Sequence, residues 1–125
     1  MQILLASCVA VVTALFATCV HANEVCGGPS YSHVFCSRCL LPMTKLTKPD
    51  TPCTLHLRMG GTRVFIASSV AKRAEHGVVG VNGPTVAYSP AKGFTGTDHF
   101  RIEYALKDEE KALVIYWDVT MIVAP

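Results

Sequence analysis

The chain has 125 residues, with 11 Lys and Arg against 9 Asp and Glu, a formal net charge of +2. Half of the residues are hydrophobic and 16% are charged, which excludes a disordered polyelectrolyte. The small, scattered positive charge argues against a nucleic-acid partner, and the length is that of one domain.

In chain order, residues 1–22 come first. Ile3 to Val20 contains no Asp, Glu, Lys or Arg and is rich in Leu, Val and Ala. It is followed by Val20-His21-Ala22, a small-residue cleavage pattern, so the segment reads as a secretory signal peptide with Asn23 as the mature N-terminus. The apolar run of about 18 residues lies at the lower edge of a membrane span, so an uncleaved anchor is the alternative. Ala17-Thr18-Cys19 matches a lipidation site only loosely. The expected location is exported, periplasmic or extracellular, with contact to a membrane only through the signal segment or a lipid.

Residues 23–53 form a Cys-rich arm. Cys26, Cys36, Cys39 and Cys53 remain after the signal, and an even number in a short exported chain implies two disulfides. Three connectivities are open, with the local closures Cys26–Cys36 and Cys39–Cys53 slightly favoured. Gly27-Gly28-Pro29, Pro42, Pro49 and Pro52 break any helical periodicity. The arm is expected to be irregular, with a short strand over 34–41, and to pack on the domain that follows.

Residues 54–125 read as that domain. Short β-rich runs alternate with Gly, Pro and Asn signals, which favours a sandwich. Leu55 and Leu57 alternate in 54–58, Gly60-Gly61 marks a turn, and Val64, Phe65 and Ile66 lie in a strand over 63–69. Residues 71–75 suit a helical turn or a plain connection. Residues 76–81 and 85–89 form a hairpin signalled by Asn82-Gly83. The strongest pattern comes last. Phe100, Ile102, Tyr104 and Leu106 share one face of a strand over 99–106. Leu113, Ile115, Trp117, Val119, Met121 and Val123 share one face of a strand over 112–123. Phe100, Ile102, Tyr104, Trp117 and Val119 are the predicted core, and the charged turn 107–111 joins the two strands.

Between 88 and 100 lies a loop of particular chemistry. Pro90 stops a strand, Gly93 and Gly96 allow positive φ, Phe94 is an apolar anchor, and Asp98 can accept from backbone N–H groups as the next strand begins. This is read as a structural turn. The alternative is a calcium ligand with Asp108, Glu109 or Asp118, which needs six or more oxygens that the sequence does not group.

Other chemistry is sparse. Cys36-Ser37-Arg38-Cys39 is a C-x-x-C, but no βαβ context surrounds it to support a redox role. His33, Cys36, Cys39, Cys53 and His56 are of zinc-ligand type, though export would oxidise the thiols. His56, His76 and His99 are scattered, and neither G-x-S-x-G nor H-E-x-x-H occurs. No enzyme, metal or cofactor is therefore expected. The alternative is a periplasmic redox or metal-binding protein using Cys36 and Cys39.

Tyr88-x-Pro90-x-x-Gly93-Phe94-x-Gly96-x-Asp98-x-Phe100 resembles the signature of bacterial Ig-like (cadherin-like, tandem-repeat adhesin) domains. His76-Gly77-Val78-Val79, Val86-Ala87-Tyr88 and Met121-Ile122-Val123 extend the resemblance over residues 75–123. It implies an Ig-like antiparallel β-sandwich with the disulfide-tied arm added. It also implies a small, non-catalytic binding or structural module of the cell envelope, whose partner would be an envelope protein or glycan.

Overall fold

A computed structural model describes residues 24–29, 37–58 and 61–125. The expected signal segment, Cys36 and His33 lie outside them. The described residues form seven strands: β1 (Cys39–Thr47), β2 (Cys53–His56), β3 (Arg63–Lys72), β4 (Gly77–Asn82), β5 (Thr85–Pro90), β6 (Gly96–Asp108) and β7 (Lys111–Val123). They make two sheets, β1-β7-β6-β3 and β2-β5-β4. The described residues are all-β, a sandwich of four strands on three.

The long hairpin β6–β7 is the spine. Its ladder runs unbroken from Gly96↔Val123 to Asp108↔Lys111. Period-two alternation sends Phe100, Ile102, Tyr104 and Leu106 inward from β6, and Ile115, Trp117, Val119, Met121 and Val123 inward from β7. All are buried, and Val86, Tyr88 and Leu55 meet them from the opposite sheet. The aromatic side chains pack specifically. Tyr104 meets Trp117 edge-on with centroids 4.9 Å apart, and Tyr88 stacks on Phe100 at 5.5 Å. The hairpin β4–β5 is tied across by Ser68 Oγ donating to Gly83 O (2.7 Å) and Tyr104 Oη to Pro84 O (3.3 Å).

Four features differ from the sequence reading. First, the arm is not irregular throughout: residues 39–47 form a nine-residue strand at the edge of the larger sheet. Pro42 disguises it in the sequence, yet proline is tolerated on an edge because one side of the strand makes no ladder. Second, β1 pairs with β7 in parallel, so the sandwich is not wholly antiparallel. Third, the hairpin turn sits one residue later than Asn82-Gly83 suggests. Asn82 pairs with Thr85, and the central residues are Gly83 (φ 61°) and Pro84. Pro84 has a fixed negative φ and no N–H, so it fits the second central position of such a turn. Fourth, β3 runs to Lys72 and 73–75 are a plain connection, so of the two readings of 71–75 the helical turn is the one that fails.

The disulfide pairing also differs. Cys26 is bonded to Cys53, 27 residues apart in sequence, with Cα atoms 4.9 Å apart. That rules out the favoured closures Cys26–Cys36 and Cys39–Cys53. Cys39 is disulfide-bonded too, and no described cysteine is free. The reason is topological. Cys26 reaches Cys53 because the arm runs beside β2, a contact that sequence separation alone does not reveal.

Candidate functional site

Two constructions stand out, a clasp around Asp98 and a cleft beneath the N-terminal arm. The clasp is built on the first residues of β6. Asp98 is 1% exposed, so its carboxylate is removed from water and needs donors from the protein. It has them. Oδ1 accepts from the backbone N–H of Glu75 (3.0 Å), His76 (3.1 Å) and His99 (2.9 Å), and Oδ2 from His76 N–H (3.1 Å) and Tyr88 Oη (2.8 Å). One carboxylate thus joins the start of β6, the β3–β4 connection and β5, and so links the two sheets. Burial raises the Tyr88 phenol well above its ordinary 10.0, and its bond to the Asp98 carboxylate and the charge there hold the proton more firmly.

The rest of the signature supports this arrangement. Gly77 has no side chain because a Cβ there would lie 2.5 Å from Ser89 O and 2.9 Å from the Tyr88 ring. Gly93 and Gly96 take positive φ, 76° and 134°. Phe94 N–H donates to Ala91 O (3.0 Å), closing the turn after β5, and the Phe94 ring stacks flat on His76 at 4.5 Å. Gly93 N–H donates to Asp50 Oδ1 (2.8 Å), which ties the loop to the β1–β2 connection. Pro90 ends β5 and is buried.

The second construction is the strap, residues 24–29. It crosses from one sheet to the other along the β1–β2 side of the sandwich. Cys26 N–H donates to Thr54 O and Thr54 N–H to Glu24 O; Gly27 and Leu46 exchange both backbone bonds. The Cys26–Cys53 bridge fixes it. Beneath it lies a cleft of about 300 Å³ lined by Val25, Met43, Lys45, Thr54, Leu55, His56, Arg58 and Trp117. Lys45 is only 4% exposed; its Nζ donates to Gly28 O (3.3 Å), and burial lowers its pKa below the ordinary 10.5.

Among the described residues, the histidines are not gathered. His56 Nδ1 lies 2.8 Å from Thr85 Oγ1 on β2–β5, His99 Nδ1 lies 3.2 Å from Thr120 Oγ1 on β6–β7, and His76 stacks on Phe94. Among the described residues, no group of three or more His, Cys, Asp or Glu is placed to hold a metal. Asp98 and Asp118 are apart: Asp118 faces outward and meets Arg101 at 3.4 Å. Sequence reasoning expected the arm to pack on the domain but missed Lys45 and the crossing of the strap from one sheet to the other. The signal for Lys45 was its place in the alternation Leu41, Met43, Lys45, which puts it on the inward face of β1.

No protein-family model matches the chain, and no curated protein matches it significantly.

Proposed function

We propose that this protein is a small exported Ig-like module of the cell envelope that binds or scaffolds rather than catalyses. The observation that carries this reading is the clasp. The residues most distinctive in the sequence are committed to one another, with the Asp98 carboxylate taken up by four protein donors. They hold two sheets together and offer no reacting group to a substrate. The Cys26–Cys53 disulfide fits an oxidising, exported compartment. A frame fixed in this way presents loops and edge strands. On β3, an edge of the larger sheet, Val64 and Ile66 are 56% and 55% exposed and available to an envelope protein or glycan.

The test uses labelled residues 23–125 with the envelope fraction of the source cell. Saturable binding that survives pre-treatment with an alkylating agent is expected, together with no turnover in an insulin-reduction assay. Catalytic thiol–disulfide exchange, or binding no greater than that of a denatured control, would overturn the proposal.

A further inference from the structure

We infer that the free edge of β4 takes up an extended peptide as an added antiparallel strand, with the peptide's C-terminal carboxylate held by Lys72 and Arg73. The inference rests on the reading that this protein binds rather than catalyses, and it names one partner chemistry. The first ground is the edge. β4 is the outer strand of the order β2-β5-β4 and has no ladder partner on its far side among the described residues. Its pairing with β5 is regular from Gly77 to Asn82, whereas β3 carries two register shifts. Natural edges are blunted by bulges, proline and lysine, and β4 contains none of the three. Asn82 and Thr85 flank a two-residue turn and so exchange both backbone bonds. Alternation then turns the N–H and C=O of Val79 and Val81 away from β5, towards the open edge. Pro90 fits this phase, because it stands opposite Gly77, where the ladder needs no N–H.

The second ground is charge. An antiparallel guest ends beside the start of β4, where a notch of about 510 Å³ includes Lys72, Arg73, Glu75 and Val78 in its lining. Lys72 and Arg73 are exposed, and neither makes an ion pair with a described carboxylate. Glu75 is turned to His76 Nε2 at 4.0 Å. A terminal carboxylate in the notch meets two cations, one of them a guanidinium able to bind it bidentately. The third ground is the outer face of the smaller sheet. Gly80, Ala87 and Thr54 are register partners across the three strands. With Asn82 and Thr85 they line a depression of about 350 Å³, and a Cβ on Gly80 would meet nothing within 4 Å. The guest residue opposite Gly80 forms a close, non-hydrogen-bonded pair with it and can lay an aromatic ring over the glycine. The guest residue opposite Val78, which is 71% exposed, stands two places nearer the carboxylate. Main-chain bonds thus supply adhesion, and the depression and the two cations supply selectivity.

The probe is the peptide Ser-Thr-Phe-Thr-Val-Ser, fluorescein-labelled at its N-terminus and free at its C-terminus. Residues 23–125 are titrated into it and anisotropy is read, with the C-terminal amide and the Phe-to-Ala peptide as comparisons. The acid should bind saturably, and the amide about tenfold more weakly, since one charge-assisted contact is worth a factor of this order. Lys72→Ala combined with Arg73→Ala should weaken the acid about tenfold and leave the amide unchanged. Gly80→Val, whose Cβ has open space, should erase the preference for Phe over Ala. Amide shifts on binding should centre on Gly77–Asn82. No saturable binding at millimolar protein, equal binding of acid and amide, or undiminished binding to the folded double variant would each overturn the inference. Should the double variant not fold, the comparison of acid with amide decides. Protection of the β4 amides that rises with protein concentration alone would make a second copy the occupant, and would overturn it too. Envelope binding that persists where the peptide fails would overturn this inference and leave the wider proposal standing.

Discussion

At the residue scale, Asp98 has most to lose by substitution. Asp98→Asn keeps the shape but sets an amide N–H₂ against groups that themselves donate. It should cost about 2–3 kcal/mol, the range for a buried, charge-assisted set of hydrogen bonds. Denaturant unfolding measures it. Millimolar calcium should leave both melting temperatures unchanged, because the carboxylate oxygens are already engaged by four protein donors. Tyr88 gives the pH dependence. Its folded pKa is raised, so its contribution to stability is complete below the ordinary 10.0 and is lost as pH climbs above it, where the unfolded phenol ionises first. Tyr104, raised by burial, acts in the same direction. Stability should therefore fall above pH 10, and ultraviolet titration should show these two phenols ionising only with unfolding. Lys45 has the opposite sign. Its lowered folded pKa costs stability at neutral pH, and the penalty fades as pH rises towards 10.5.

At the element scale, the β6–β7 turn is conformationally costly. Glu109 and Glu110 both take positive φ, 48° and 72°, the pattern of a tight hairpin turn that Asn-Gly adopts readily. Replacing Glu109-Glu110 by Asn-Gly should stabilise the protein by about 1–2 kcal/mol, seen as a raised melting temperature. The strap gives a second test. Removing the bridge with Cys26→Ala and Cys53→Ala should cost about 3.5 kcal/mol by the loop-closure argument for a separation of 27 residues. Strands β4 to β7 were legible in the sequence because their alternation is regular and their turns carry Gly, Pro or charge. β1 was not, since Pro42 interrupts it and Lys45 stands where an apolar residue is expected. Its parallel pairing with β7 depends on contacts more than 70 residues away in sequence, such as Cys39 with Ile115, which no local pattern encodes.

At the scale of the whole molecule, the core and the clasp make the two sheets one unit. Trp117 is 3% exposed at the centre of the larger sheet. Trp117→Ala should cost about 3–5 kcal/mol, as for other large core deletions, with the loss measured by denaturant titration. The chemistry of Asp98 could be read from its place in the loop, as a carboxylate accepting backbone N–H groups. Its burial and its reach to Tyr88 and to the β3–β4 connection could not, because they follow from the packing of one sheet on the other. Hydrogen exchange tests the clasp most directly. Glu75 and His76 are exposed residues outside any strand, so their amides would ordinarily exchange fast. If Asp98 holds them, both should exchange as slowly as amides in β6 and β7, and Asp98→Asn should release them while the strands stay protected. Exchange of these two amides at the rate of an unstructured peptide in the wild-type protein would contradict the account.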